Sequence, residues 1–188
     1  AAKVIQNSIL PSITHIKQFL PDLFILNKPK DVVGGDFYWF NEINGNLIIA
    51  AVDCTGHGVS GAFMSITGHH LLNKCILPYE EPIASQILDR LNKEIIEELN
   101  QNTEEDEKIL DGMDISICII NKKESKLQFA GASNPLYLIR NNELRQIKGD
   151  KHSIGLSITG AISSFVNNVI EIKKGDAIYL FSDGYADQ

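Results

Sequence analysis

Two apolar runs in this chain end on the same kind of residue. Asn46–Val52 reads NLIIAAV and delivers Asp53, followed by Cys54-Thr55-Gly56-His57-Gly58. Ala177–Ser182 reads AIYLFS and delivers Asp183, followed by Gly184. Asp36 lies between Gly35 and Phe37 at the edge of a third run, and Asp114 opens a fourth, Ile115–Ile120, after Gly112-Met113. Short apolar runs bounded by turn residues predict buried strands. Aspartate is a poor strand residue, and a carboxylate at a buried strand end is costly unless it is paired or metal-bound. Each aspartate taken alone also fits a turn cap, the usual role of Asp-Gly and Asp-x-x-Gly. Asp53 and Asp183 taken together favour a divalent-cation site, because two strands end in the same chemistry. Asp114 fits either reading. Carboxylates, water and a carbonyl exposed by neighbouring glycines are the hard oxygen donors that suit Mg²⁺ or Mn²⁺.

The rest of the pattern places these residues. Val4, Ile5 and Ile9 stand at helical spacing over Ala1–Leu10, and Pro11 ends that helix. Strand-like runs follow at Leu23–Asn27, Phe37–Asn41 and Asn46–Asp53, the last two joined by the hairpin signal Asn44-Gly45. A helix is predicted from about Ser60 to Leu77. A second begins near Pro82 and carries Ile83, Ile87, Leu88, Leu91, Ile95 and Leu99 as one apolar stripe. An acidic loop, Thr103–Glu107, leads to strands at Ile115–Ile120, Lys126–Ala130, Leu136–Arg140 and Glu143–Ile147, with Asn141-Asn142 as the last turn. A looser Gly/Ser segment precedes closing strands at Asn168–Ile172 and Ala177–Ser182. Strands, then two helices, then strands read as an α+β fold with antiparallel sheets.

Composition narrows the function. The 188 residues suit one domain. A net charge of −7 without a Lys/Arg stripe argues against nucleic acid as partner. No apolar run approaches the ~20 residues of a membrane span, so no membrane contact is expected. The opening residues do not form a secretory leader. Three cysteines, Cys54, Cys75 and Cys118, with no CxxC pair point to a reduced cytoplasmic compartment rather than a disulfide or zinc framework. Six residues after Cys54 stands Ser60, not the arginine of a cysteine phosphatase, and Thr55 replaces the second aspartate of a haloacid-dehalogenase nucleophile. His69 and His70 are adjacent on a predicted helix and make a poor metal pair. His57 either fills its glycine-flanked turn or stands near the cations as an accessory group.

Taken in order, Gln6…Ile9-Leu10-Pro11, Val33-Gly34-Gly35-Asp36-Phe37-Tyr38 and Val52-Asp53-Cys54-Thr55-Gly56-His57-Gly58 form a series of short motifs. Gly112-Met113-Asp114, Ala130-Gly131 with Asn134-Pro135, Ile154-Gly155 and Phe181-Ser182-Asp183-Gly184 continue it. The series resembles the bacterial serine/threonine phosphatases of the stage II sporulation protein E type, a branch of the metal-dependent protein phosphatases of the 2C class. The resemblance implies a sandwich of two antiparallel sheets flanked by helices, with two Mn²⁺ or Mg²⁺ ions at one edge. Asp53 would bridge the ions and the Cys54 carbonyl would bind one. Asp36 and Asp183 would each serve an ion, directly or through water. Two such cations activate water for in-line attack on phosphorus, which leaves the Cys54 thiol no role as nucleophile. The implied substrate is phosphoserine or phosphothreonine on a partner protein of the anti-sigma-factor antagonist type, and an upstream sensor domain is implied before residue 1.

Residues 1–11 therefore read as the end of a linker or regulatory helix, and 12–188 as the catalytic domain. The family often has Ala-Gly-His-Asn-Pro where this chain has Ala130-Gly131-Ala132-Ser133-Asn134-Pro135. It also continues past Ser-Asp-Gly to a last acidic ligand, so the domain reads as incomplete at its C-terminus. Two other functions fit part of the pattern. One is a catalytically weak phosphatase-like binding module, and the other a small-molecule phosphohydrolase with Asp53 as nucleophile.

Overall fold

The computed structural model describes residues 2–29, 31–100, 111–155 and 164–185. Two short helices open the chain, α1 (Ala2–Ile9) and α2 (Ile13–Phe19). A hairpin follows, β1 (Phe37–Ile43) and β2 (Asn46–Cys54). Its turn residues Asn44 and Gly45 have φ of 51° and 83°, the pair of positive values a tight two-residue hairpin requires. Two long helices, α3 (Gly58–Ile76) and α4 (Ala84–Asn100), cross to β3 (Met113–Asn121), β4 (Lys126–Ala132), β5 (Leu136–Arg140) and β6 (Glu143–Ile147). The chain closes with β7 (Asn168–Glu171), β8 (Ala177–Tyr179) and a 3₁₀ turn at Asp183–Tyr185.

All the pairings are antiparallel and build two sheets, β1-β2-β3-β4-β7 and β6-β5-β8. The larger sheet is covered on both faces, which is why its strands read as unbroken apolar runs. On one face Trp39, Ile48, Ala50, Val52, Ile115 and Ile117 pack with Leu71 and Leu72 of α3 and Leu88 and Leu91 of α4. On the other, Phe40, Leu47, Cys118, Ile120 and Phe129 meet Leu136 and Leu138 of the smaller sheet. The sequence-derived α+β sandwich is the observed fold.

Three local expectations change. Leu23–Asn27 is not a strand, because no neighbouring strand takes up its backbone; Leu23 and Ile25 instead pack against the inter-sheet core. α2 was not expected. Its seven residues are too few for periodicity to stand out, and docking holds it: Ile16 is 2% exposed, and Phe19 packs 5.7 Å from Phe40. β8 ends at Tyr179 rather than Ser182. The acidic stretch Thr103–Glu107 lies outside the described residues.

A polar chain crosses the helix-facing core. Trp39 Nε1 donates to Asn73 Oδ1 at 3.1 Å, and Asn73 Nδ2 contacts His69 Nδ1 at 3.3 Å. With its amide oxygen committed to the indole, Asn73 offers only N–H to His69, so Nδ1 must accept and the ring must be neutral there. Burial, and secondly the adjacent His70, lower the His69 pKa from its ordinary 6.5. The unfolded chain therefore binds a proton that the folded chain resists. The contribution is fully present above pH 6.5 and is lost as the pH falls toward the folded-state value. Urea midpoints should drop between pH 7 and 5.5, and His69→Gln should flatten that drop. Identical pH profiles for the two proteins would contradict this.

Candidate active site

The register decides where the strand-end aspartates go. Phe37 pairs with Val52, and Asp53 with Asp114. Asp36 thus precedes β1 beside the end of β2, and Asp36, Asp53 and Asp114 lie in a row across three adjacent strands. Side chains alternate between the faces of a strand. Val52 and Ile115 point to the helices, so Asp53 and Asp114 point to the inter-sheet face. Asp183 arrives from the other sheet, just past β8, in the first position of the 3₁₀ turn.

Side-chain contacts complete the convergence. Ser182 Oγ donates to Asp36 Oδ2 at 2.6 Å, and a Cβ on Gly184 would stand 3.2 Å from the same oxygen. The Asp53 carboxyl is pushed up to about 8, first by burial, then by a hydrogen bond with Asp183 and the charge of Asp36. Crowding adds to burial: three carboxyls lie together, and among the described residues none of them is ion-paired to a Lys, Arg or His. Asp114 adds a buried Oδ1 with no hydrogen-bond partner.

The backbone beside these carboxyls is built from close approaches. A Cβ on Gly35 would fall 2.7 Å from the Cys54 carbonyl oxygen, and one on Gly61 would fall 2.6 Å from the Gly56 carbonyl oxygen. Gly56 itself has φ +88°, a region other residues avoid. Thr55 ties this turn to the start of β3. Its N–H donates to the Gly112 carbonyl at 3.0 Å, Gly112 N–H donates to its Oγ1 at 3.0 Å, and Oγ1 reaches Asp111 Oδ1 at 3.1 Å. The Cys54 side chain belongs to the helix-facing core, and burial, with the charges of Asp53 and Asp36, pushes its thiol up. It is a poor thiolate.

Of the residues singled out in the sequence, Asp36, Asp53 and Asp183 come together, with Cys54 behind them and Asp114 alongside. His57 does not join them: it is 89% exposed and faces Asp31 at 3.8 Å. His69 is half-buried beside Asn73 and Phe37, and His70 is exposed, both on α3. Among the described residues no three His, Cys, Asp or Glu side chains make a ready cage for an ion. A site here must draw on backbone and water oxygen as well as carboxylates. Ser182 and Thr55 stand in the sequence motifs without an assigned role, because a hydroxyl next to an aspartate carries no compositional signal; Asp111 was not singled out, and only its bond with Thr55 marks it.

Two antiparallel sheets carrying helices on one face, with carboxylates at one end of the sandwich, fit the phosphatase domain of the 2C class that the sequence motifs resemble. Solved structures agree. The SiaA-PP2C domain of Pseudomonas aeruginosa is 31% identical, with a TM-score of 0.84 over 100% of this chain and 71% of that one. The PP2C phosphatase domain with a regulatory-domain fragment of the cell fate determinant SpoIIE from Bacillus subtilis shares the fold at 22% identity and a TM-score of 0.63, over 82% of this chain and 42% of that one. RsbX in complex with magnesium shares it at 18% identity and 0.62, over 86% and 72%. Curated protein sequences give no match. The stage II sporulation protein E (SpoIIE) profile matches residues 43–188, and the chain belongs to that family of serine/threonine phosphatases. No described helix is long and apolar enough to cross a membrane.

Proposed function

We propose that this chain removes phosphate from phosphoserine or phosphothreonine of a partner protein in a divalent-metal-dependent reaction. Asp36, Asp53, Asp183 and the Cys54 carbonyl are the proposed metal-binding groups, for two Mn²⁺ or Mg²⁺ ions, with Asp114 beside them. The observation that carries this reading is the convergence of Asp36, Asp53 and Asp183 at one end of the sandwich. The half-buried Asp53 carboxyl, pushed up to about 8 by burial and by Asp183 and Asp36, stands where a cation would offset the crowded charge. The unpartnered Asp114 Oδ1 and the Cys54 carbonyl backed by Gly35 supply the further oxygen donors that a hard cation takes. When bound, such cations polarise phosphate oxygens and generate a water-derived nucleophile.

The chain's own groups have narrower tasks. Ser182 orients Asp36, and Thr55 fixes the end of β2. For the substrate, an anti-sigma-factor antagonist fits the family. Residues 1–11 fit the end of a regulatory helix leading from a sensor, with 12–188 as the catalytic domain in a cytoplasmic protein.

The test is hydrolysis of p-nitrophenyl phosphate and of a phosphoserine peptide with Mn²⁺, then with chelator. Activity should require the metal and return when it is restored. Cys54→Ala should keep activity within about tenfold, because only its carbonyl is used and core truncation of this size costs stability first. Chelator-resistant hydrolysis, or its complete loss in Cys54→Ala with the fold intact, would refute the proposal.

A further inference from the structure

Gln6 is the buried residue of α1, 8% exposed where its neighbours Val4 and Ile5 stand in solvent at 72% and 57%. Its carboxamide is fully engaged across the chain. Nε2 donates to the Gly34 carbonyl at 2.6 Å and to Ser65 Oγ at 2.8 Å, while Oε1 accepts from the Gly34 N–H at 3.3 Å. The Ser65 hydroxyl itself donates to the Ala62 carbonyl at 2.8 Å, which turns its lone pairs toward Gln6. One side chain therefore grips both backbone polar groups of Gly34. The next residues are Gly35, packed on the Cys54 carbonyl, and Asp36, held from the other side by Ser182. A Gly-Gly step is the most permissive dipeptide in a chain. Left to itself, Gly34-Gly35 would let Asp36 wander.

We propose that Gln6 is a positioning residue: its carboxamide clamps Gly34 and so holds Asp36 and the Gly35–Cys54 contact in the geometry that binds the divalent cations. The inference rests on the metal-dependent reading above and adds a helix that touches none of the carboxylates.

Gln6→Met keeps the side-chain length and removes the amide; Gln6→Glu keeps an acceptor and loses both donors. Ser65→Ala removes one partner of the amide and leaves the grip on Gly34. Mn²⁺ affinity of the whole chain, measured by calorimetry, should weaken on the order of tenfold in both Gln6 variants, the effect typical of groups that support metal ligands. It should stay near wild type in Ser65→Ala. Hydrolysis by the Gln6 variants should recover at saturating Mn²⁺. A structural role alone would lower the melting temperature in chelator without moving Mn²⁺ affinity, and that result in Gln6→Met and Gln6→Glu overturns the proposal. If Gln6→Met does not fold, Gln6→Glu decides by the same affinity measurement. Wild-type protein that binds Mn²⁺ without hydrolysing p-nitrophenyl phosphate defeats the phosphatase reading while the Gln6 shift still stands or falls. Wild type that binds no Mn²⁺ overturns both.

Discussion

Asp53→Asn is expected to abolish metal-dependent hydrolysis while leaving the metal-free protein at least as stable as wild type. The two effects have one origin. Asp53 is half-buried beside Asp183 and Asp36, and its carboxyl is raised to about 8 by burial and by these neighbours. Asparagine is neutral without taking up a proton, so the change relieves the cost of neutralising a carboxyl beside two others, since like charges in a shared site oppose ionisation. The same change removes the group placed between the other two carboxylates. Cation stabilisation of a phosphoryl transition state is worth several kcal/mol, and about 1.4 kcal/mol is a factor of ten. A rate loss on the order of 10³-fold follows. Mn²⁺ should raise the melting temperature of wild type by mass action and leave that of the variant unchanged. Retained hydrolysis, or a variant much less stable than wild type in chelator, would falsify this account.

Gly61→Ala should be damaging even though it puts a better helix former inside α3. Propensity alone favours alanine by about 1 kcal/mol. The added Cβ, however, would stand 2.6 Å from the Gly56 carbonyl oxygen, 3.0 Å from Gly35 N and 3.1 Å from Gly35 Cα. All three are backbone atoms, so no side chain can swing aside. Overpacking of this kind costs roughly 1–3 kcal/mol, which cancels or outweighs the gain. The strain would also spread through Gly35 toward the Cys54 carbonyl. The expected result is a lower melting temperature with weaker Mn²⁺ binding, read by thermal unfolding and calorimetry. A stabilised variant with unchanged Mn²⁺ affinity would show that α3 can slide away from the glycine turn, and that the close packing there is not needed.

Much of the fold was legible because strands buried on both faces leave continuous apolar runs, and the hairpin at Asn44-Gly45 announces itself. Boundaries of α3 and α4 fell within two residues of expectation, since each carries several turns of regular pattern. What failed was short or tertiary. α2 has seven residues and owes its helix to Ile16 entering the core. Leu23–Asn27 has a strand's composition and no partner strand. Propensity cannot distinguish a paired strand from an extended segment laid over the sandwich; only a neighbour's hydrogen bonds can.

The candidate site divides the same way. By itself, the sequence determined that Asp36, Asp53, Asp114 and Asp183 lie at the edges of apolar runs, because the cost of burying a carboxylate makes that placement conspicuous. The tertiary structure alone decided that Asp36, Asp53 and Asp183 meet. Their meeting depends on register: one residue of slip between β1 and β2 or β2 and β3 would turn a carboxylate to the helix face. It depends too on the second sheet, which brings Asp183 to Asp53 across 130 positions of chain. His57 shows the converse. Its glycine-flanked turn sits next to the site in sequence, yet the path of that turn carries its ring out to Asp31 and the solvent.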